Sequence, residues 1–443
     1  MDAVVAAATP PGRAALALVR LTGRDAIVVF GAVAALRTTS LLSDRRPRRV
    51  DLVDGDVVYD DGVAVLFAGP RSATGEDLIE ITCHGNDHIV RRLIACALRA
   101  GARAADAGEF TRRALVNGRI DLAGAEAVLL IAEATTDAGL SVARAGLDGR
   151  LAEAVTRLRS PLVDAAADLE ARLDWPDDEL ATVPDDALID GLRAASDATR
   201  ALAATCDVGR VLVSGARVAL VGTVNAGKSS LFNALLGRPR AIVHESPGTT
   251  RDVIEASFDL EGVHVTLLDT AGERATGDPV EAAGLALARE LVADVDVIVV
   301  VLRARSGTDP VEQEILERTS ARRRLVVYNG VDREGVDAAP SGAIATSARS
   351  GEGLQVLRSA LRERLIGQPS VEEVVRIAST RQRDHLLAAA GCLDEACEDV
   401  GTAGVAVAAD AVTRAIRELD AIVGLDAGKD VLDSLFARFC IGK

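Results

Sequence analysis

Lysine is nearly missing from this chain. Its 443 residues include 47 arginines but only three lysines, Lys228, Lys429 and Lys443. A lysine here therefore reads as chosen for its own chemistry rather than for general charge. Long apolar runs are missing too. Although 49% of the residues are apolar, no charge-free stretch reaches the length of a membrane span, which argues against a membrane protein. Met1-Asp2-Ala3-Val4-Val5 places no basic segment ahead of an apolar one, so no secretory signal is expected. Cys83, Cys96, Cys206, Cys392, Cys397 and Cys440 form neither a C-x-x-C pair nor a dense framework. That excludes a disulfide scaffold and fits free thiols in a cytoplasmic protein.

An excess of positive charge is also absent. The net charge of −16 argues against a chain that binds nucleic acid along its whole length. The imbalance is uneven, because residues 1–118 carry 15 basic and 14 acidic residues and the acidic excess lies beyond them. Arg45, Arg46, Arg48 and Arg49 form a local basic cluster whose simplest reading is a solvated loop.

What is present begins with Gly222 to Ser230, G-T-V-N-A-G-K-S-S, between the apolar run Val218–Val221 and a helical pattern from Leu231. A glycine-rich turn from strand to helix lets backbone amides wrap phosphates. Amides of Ala226, Gly227 and Ser230 belong to that cradle, Lys228 reaches the β and γ phosphates, and Ser229 holds Mg²⁺. Asn225 occupies a position that is free in the general motif.

Around this loop, the chain length suggests about three domains. Residues 1–118 mix short apolar runs with turn signals (Thr9-Pro10-Pro11-Gly12, Asp54-Gly55, Asp61-Gly62, Gly69-Pro70) and read as an α+β domain. Residues 119–210 are rich in Ala, Leu, Arg and Glu. Apolar spacings of three and four, as at Leu162, Ala166, Leu169 and Leu173, predict long amphipathic helices broken near Trp175–Asp178. Residues 211–367 alternate strand-like runs (Val263–Leu268, Val297–Leu302, Leu325–Tyr328) with helical patterns (Leu285–Val292, Val311–Arg318, Leu354–Leu365), which predicts a parallel α/β sheet. Residues 368–443 return to helix. The expected architecture is an α+β domain followed by a discontinuous all-α domain into which a Ras-like P-loop α/β domain is inserted.

Further motifs follow in order. Pro247-Gly248-Thr249-Thr250-Arg251-Asp252 offers threonine hydroxyls, Thr250 among them, to complete the Mg²⁺ shell and sense the γ-phosphate. Asp269-Thr270-Ala271-Gly272 ends a strand, with Asp269 suited to hold the Mg²⁺ shell and the Gly272 amide suited to meet the γ-phosphate. Asn329-Gly330-Val331-Asp332 places a carboxylate that accepts two guanine N–H groups and repels adenine, and Ser347-Ala348-Arg349 adds backbone contacts to the base. The ordered set selects GTP over ATP. Gly330 stands where the general motif has lysine, which predicts weakened nucleotide affinity. Glu281 is a candidate to orient the attacking water.

With these motifs in view the chain resembles the MnmE (TrmE) family of tRNA-modification GTPases. The resemblance extends to Ala8-Thr9-Pro10-Pro11-Gly12-Arg13, Val19-Arg20, Thr74-Gly75-Glu76-Asp77-Leu78-Ile79-Glu80, Cys83-His84-Gly85, Gly108-Glu109-Phe110-Thr111, Asn117–Leu122 and the closing Phe439-Cys440-Ile441-Gly442-Lys443. It implies GTPase domains that dimerise around K⁺ held by Asn225, backbone near His244 and Ser246, and Thr249. It also implies water orientation by Glu281. The N-terminal domain would be folate-binding-like and would form a homodimer, with 5,10-methylene-tetrahydrofolate or 5-formyl-tetrahydrofolate contacted by Arg20, Glu80, Arg119 and Lys443. Cys440 would lie beside folate or uridine. The implied partners are tRNA and the FAD-dependent MnmG in a heterotetramer-type complex. The implied product is a carboxymethylaminomethyl-type group on C5 of the wobble uridine.

Departures from the family pattern are Gly330, Glu273 after D-T-A-G, Ala107 before G-E-F, and Asp426-Ala427-Gly428. The nucleotide motifs alone also suit a switch-type GTPase of ribosome assembly or RNA binding. A structural dimer with a degraded nucleotide site is suggested only by Gly330. The N-terminal motifs and the chain end argue against the first, and Lys228, Ser229, Thr250 and Asp269 against the second.

Overall fold

The structure is a computed structural model that describes residues 2–37, 44–174, 183–237, 242–244, 254–269, 295–305, 309–367, 375–400, 404–424 and 428–442. These fold as two compact units. One gathers Met1–Leu129, Gly146–Thr199 and His385–Lys443; the other gathers Leu130–Ala145 and Arg200–Asp384. The α/β part thus interrupts the helical part in sequence, as expected.

The first unit contains β1 (Val4–Ala7), β2 (Leu16–Thr22), β3 (Ala34–Leu36), β4 (Arg48–Asp54), β5 (Val57–Phe67), β6 (Leu78–His84) and β7 (Arg103–Ala104). They form one sheet in the order β3-β4-β5-β6-β2-β1-β7, antiparallel except for β1 with β7. Alternation along the strands gives each face a separate fate. Val5, Ala17, Val19, Leu21, Ile79 and Ile81 share a core with the helices Ala26–Val33 and Asp87–Arg99. Val4, Ala6 and Leu78 pack on the opposite face with Phe110. Asp54-Gly55 turns the β4–β5 hairpin, as the sequence indicates. Asp61-Gly62 does not turn. It lies inside β5, where a Cβ on Gly62 would collide with the Thr82 carbonyl of β6.

The helical part of this unit includes Arg150–Asp174 and Val405–Val423. Arg159 joins the two by donating to the Asp420 carboxylate at 2.6 Å. Leu162 and Leu169 are buried, whereas Leu173, at the end of the same apolar spacing, is 44% exposed. The expected break at Trp175–Asp178 lies outside the described residues.

The second unit contains β8 (Ala216–Val221), β9 (Ile242–His244), β10 (Ile254–Asp259), β11 (His264–Asp269), β12 (Val297–Arg303), β13 (Arg324–Asn329) and β14 (Ala343–Thr346). Their order is β14-β13-β12-β8-β11-β10-β9. β8 is parallel to β11 and β12, and β10 alone runs against the others, antiparallel to both of its neighbours β11 and β9. The central strands are near-continuous apolar runs, as burial on both faces demands. One face packs Val218, Leu220, Val299 and Val301 with the helices Lys228–Leu236 and Leu354–Ile366. The other packs Ala219, Val221, Val300 and Tyr328 with the helix Pro310–Arg318.

Candidate functional site

The phosphate loop emerges from the carboxyl end of β8, whose neighbours β11 and β12 lie on opposite sides of it. Open α/β sheets bind ligands at such a reversal of strand order. The helix that follows starts at Lys228 with Gly227 as its N-cap, and no side chain caps its first turn. The first-turn amides of such a helix and the positive end of its dipole together favour an anion. Gly227 admits no side chain, because a Cβ there would collide with Asn329 Nδ2. Lys228 is buried and donates to the carbonyls of Gly222 and Thr223, at 3.1 Å each, which holds its ammonium against the loop. Asn225 takes a left-handed φ of +63° and is exposed, while Ala226 is buried; Ser229 and Ser230 are exposed at the helix start.

Asp269 ends β11, paired in register with Leu220 of β8. Its carboxylate is buried, and Oδ1 has no hydrogen-bond partner among the described residues. An orphaned buried carboxylate oxygen beside a phosphate loop fits a hydrated divalent cation. The residues present therefore suit Mg²⁺.

Asn329 joins the phosphate loop to the base loops. Its Nδ2 donates to the Ala226 carbonyl at 3.2 Å, and its Oδ1 accepts from the Ala348 amide at 3.2 Å. The amides of Gly330 and Val331 donate to the Thr346 carbonyl. The buried Ser347 hydroxyl hydrogen-bonds Asp332 and holds its carboxyl below the usual range, with Arg349 and Arg333 adding to the effect. Ser347 Oγ also accepts from the amides of Arg349 and Ser350, which shapes the S-A-R turn.

Sequence reasoning missed Glu312. This buried carboxylate on the helix Pro310–Arg318 accepts from Thr223 Oγ1 at 3.3 Å and from the Arg303 amide at 3.1 Å, and it pairs with Arg305 at 3.2 Å. It ties the phosphate loop to the end of β12. The Asp309-Pro310 start signals the helix in sequence, but nothing local reveals the carboxylate's partners. Ser246, Thr249, Thr250, Thr270, Ala271, Gly272, Glu273 and Glu281 lie outside the described residues. Of His244 only the backbone, in β9, is described.

The second candidate site belongs to the first unit. Arg20 and Glu80 face each other across β2 and β6, and Arg20 Nε donates to Glu80 Oε1 at 2.9 Å. They share a sheet face with Ala6 and Leu78. A cavity of about 370 Å³ opens there, lined by Arg20, Thr74, Leu78, Phe110 and Arg119 among others. Its apolar wall with two guanidinium groups suits a planar ligand that carries a carboxylate. The chain end reaches the same place. Ile441 makes a β-bridge with Ala107, the Gly108 amide donates to the Cys440 carbonyl at 3.5 Å, and Arg20 Nη1 donates to the Gly442 carbonyl at 3.4 Å. The Cys440 side chain is exposed; Lys443 lies outside the described residues.

A buried ionic hub supports this face. Arg113, 2% exposed, binds Glu76 at 2.8 Å and Glu109 at 2.9 Å, and Glu109 binds Arg103 at 2.6 Å. Asn117 Nδ2 donates to the Thr74 carbonyl at 2.7 Å. The T-G-E-D, G-E-F-T and N-G-R segments are thus parts of one scaffold. Arg49 pairs with Asp61 at 3.0 Å and Arg45 donates to the Arg71 carbonyl, so these two members of the basic cluster are engaged within the chain.

All six cysteines are free thiols. Burial pushes the Cys83 thiol up to about 11, which suits an inert structural role. No helix among the described residues is long and apolar enough to cross a membrane.

Known proteins resemble this chain along nearly its whole length. Residues 3–119 match the family model of the GTP-binding protein TrmE N-terminus, and residues 122–440 match that of the MnmE helical domain. The chain is 39% identical to a tRNA modification GTPase MnmE of Roseiflexus castenholzii, over 100% of this chain and 99% of that protein. It is likewise 39% identical to the one of Chloroflexus aurantiacus, with both chains covered in full. To that of Parasynechococcus marenigrum it is 40% identical, over 100% of this chain and 98% of the relative.

Proposed function

Because the chain belongs to the MnmE family of tRNA-modification GTPases, we propose that its GTP hydrolysis is K⁺-stimulated and drives modification of the wobble uridine of certain tRNAs. In this reading it forms a homodimer and acts with a FAD-dependent MnmG-type partner. A carboxymethylaminomethyl-type group is built on uridine C5, with methylene-tetrahydrofolate as the carbon donor. The division of labour follows boundaries near residues 118, 210 and 367: folate and dimerisation first, then the first helical part, the GTPase and the second helical part.

The observation that carries the reading is the meeting of the chain's two ends. The Gly442 carbonyl lies on Arg20, which is paired with Glu80 and lines the same cavity as Arg119. A GTPase acting only as a timer has no use for such a site. Arg20 and Arg119 hold the carboxylates of a folate, Glu80 orients Arg20, and Lys443 closes the site. Cys440 acts beside the folate or the uridine in this reading.

In the nucleotide site, Lys228 would hold the β and γ phosphates, and Ser229 and Thr250, supported by Asp269, would hold Mg²⁺, which would supply charge neutralisation there. Asp332, kept ionised by Ser347, reads the guanine N–H groups. Asn225, backbone near His244 and Ser246, and Thr249 would hold K⁺, which would supply charge neutralisation. Glu281 orients the attacking water.

The test is GTP turnover in K⁺ against Na⁺, with Asn225→Ala alongside. Wild-type turnover is expected to be faster in K⁺ by about tenfold or more, the scale of removing one preorganised electrostatic group, and Asn225→Ala should erase the difference. Equal wild-type rates in both salts would sink the cation mechanism.

A further inference from the structure

The base loop holds an arginine where the sequence shows only a gap. Gly330 stands in place of the lysine of N-K-x-D and takes φ +99°, a conformation that residues with a Cβ avoid. Its carbonyl accepts from the Arg333 amide at 3.2 Å, closing a turn over Gly330 to Arg333. The turn returns the Arg333 side chain across the glycine. A Cβ on Gly330 would lie 3.3 Å from Arg333 Nε, 3.5 Å from Cζ and 3.6 Å from Cδ. Three such similar distances mean that the end of the stem and the guanidinium lie across this position rather than pointing away from it. Arg333 is exposed. Its positive charge acts on Asp332.

We propose that Arg333 covers the face of the guanine, taking the place of the missing lysine stem, and that Gly330 is the residue that makes room for it. The proposal rests on reading Asn329–Asp332 as the guanine loop. A guanidinium is planar and weakly hydrated, so it stacks on aromatic faces better than an ammonium stem covers them. Arginine planes stack on bases in many nucleic-acid sites. Asp332 then selects the base edge while Arg333 holds the face, and the weakened affinity that Gly330 alone predicts is recovered by a residue three positions later.

The test is equilibrium binding of a fluorescent GDP derivative to the full chain, with GDP and ADP as competitors, for wild type, Arg333→Ala and Arg333→Lys. Wild type is expected to prefer GDP. Arg333→Ala should weaken GDP binding about tenfold, the scale of one base–side-chain stack, and Arg333→Lys should restore only part of it. The loss should persist in about 0.5 M salt, since a contact shielded from solvent is little screened. Nucleotide-free thermal melting should not move, because Arg333 is exposed. Binding by Arg333→Ala within twofold of wild type overturns the proposal. So does a loss that lysine restores in full or that salt abolishes, either of which marks a role for charge alone. A wild-type chain with no preference for GDP over ADP overturns the guanine loop itself, and the proposal with it.

Discussion

Gly108 combines two constraints that a residue with a Cβ could not meet together. It caps the helix Glu109–Val116 at φ +66°, and a Cβ there would lie 2.8 Å from Phe436 and 3.0 Å from Phe439. Those rings pack tilted by 47° at a centroid distance of 5.4 Å and share a buried cluster with Ala125 and Leu129. Gly108→Ala should therefore lose stability on two counts, backbone strain and overpacking, about 2–4 kcal/mol together. Urea unfolding followed by circular dichroism checks this, and an unchanged midpoint would show that the aromatic pair yields freely. The residue scale also shows where sequence reading stops. Lys228, Asp269 and Asp332 were legible because each has a fixed offset from a strand end or a glycine turn. Glu312 and Arg333 were not. Their partners are set by how a helix or a turn comes back in space, and no local periodicity encodes that approach.

The helix Glu109–Val116 shows the same limit at the scale of an element. It buries a glutamate and an arginine that a simple pattern would leave in water. Burial opposes ionisation of Glu109, and its hydrogen bonds with Arg103, the Asp106 amide and Arg113 outweigh that cost. Its pKa therefore falls below the ordinary 4.5. A depressed carboxylate contributes stability that is fully present above its unfolded pKa and is lost as pH falls through the folded one. Glu109→Gln should cost about 3 kcal/mol near neutral pH, because Arg113 and Arg103 lose a buried partner. The gap between wild type and Glu109→Gln should narrow below about pH 4 as the wild-type carboxylate protonates. Urea midpoints measured across the acid range decide the point. A gap that stays constant with pH would mean that packing, not the charge, carries the effect. At this scale Asp61-Gly62 is also instructive. A pair that reads as a turn instead lies where β5 closely approaches β6, since a glycine that admits a neighbouring strand looks the same in sequence as one that reverses the chain.

At the scale of the molecule, the order of domains was readable because each has its own composition and period, whereas a site uniting Arg20, Glu80 and Arg119 with Lys443 was suggested only by family resemblance, and the Gly442 contact on Arg20 came from the structure. The two candidate sites fall in different compact units. Asn225, Lys228, Asp269, Asn329, Asp332 and Ser347 of the candidate nucleotide site fall within Arg200–Asp384, and Arg20, Glu80, Arg119 and Gly442 fall within the other unit. The chain end contributes the Ile441 bridge to Ala107 and the Gly442 carbonyl on Arg20. Removing Ile441, Gly442 and Lys443 should therefore weaken tetrahydrofolate binding by about tenfold or more, the scale of losing a charge-assisted contact with its supporting bonds. GDP affinity should stay within about twofold, since none of its contacts is touched. Arg119→Ala, which leaves the tail in place and removes one guanidinium from the cavity, should give the same separation. Isothermal titration with tetrahydrofolate and with GDP on the intact chain and both variants reads the two sites independently. Folate binding that survives both changes would place the ligand elsewhere, while a parallel loss of GDP binding would mean that the two units are energetically one.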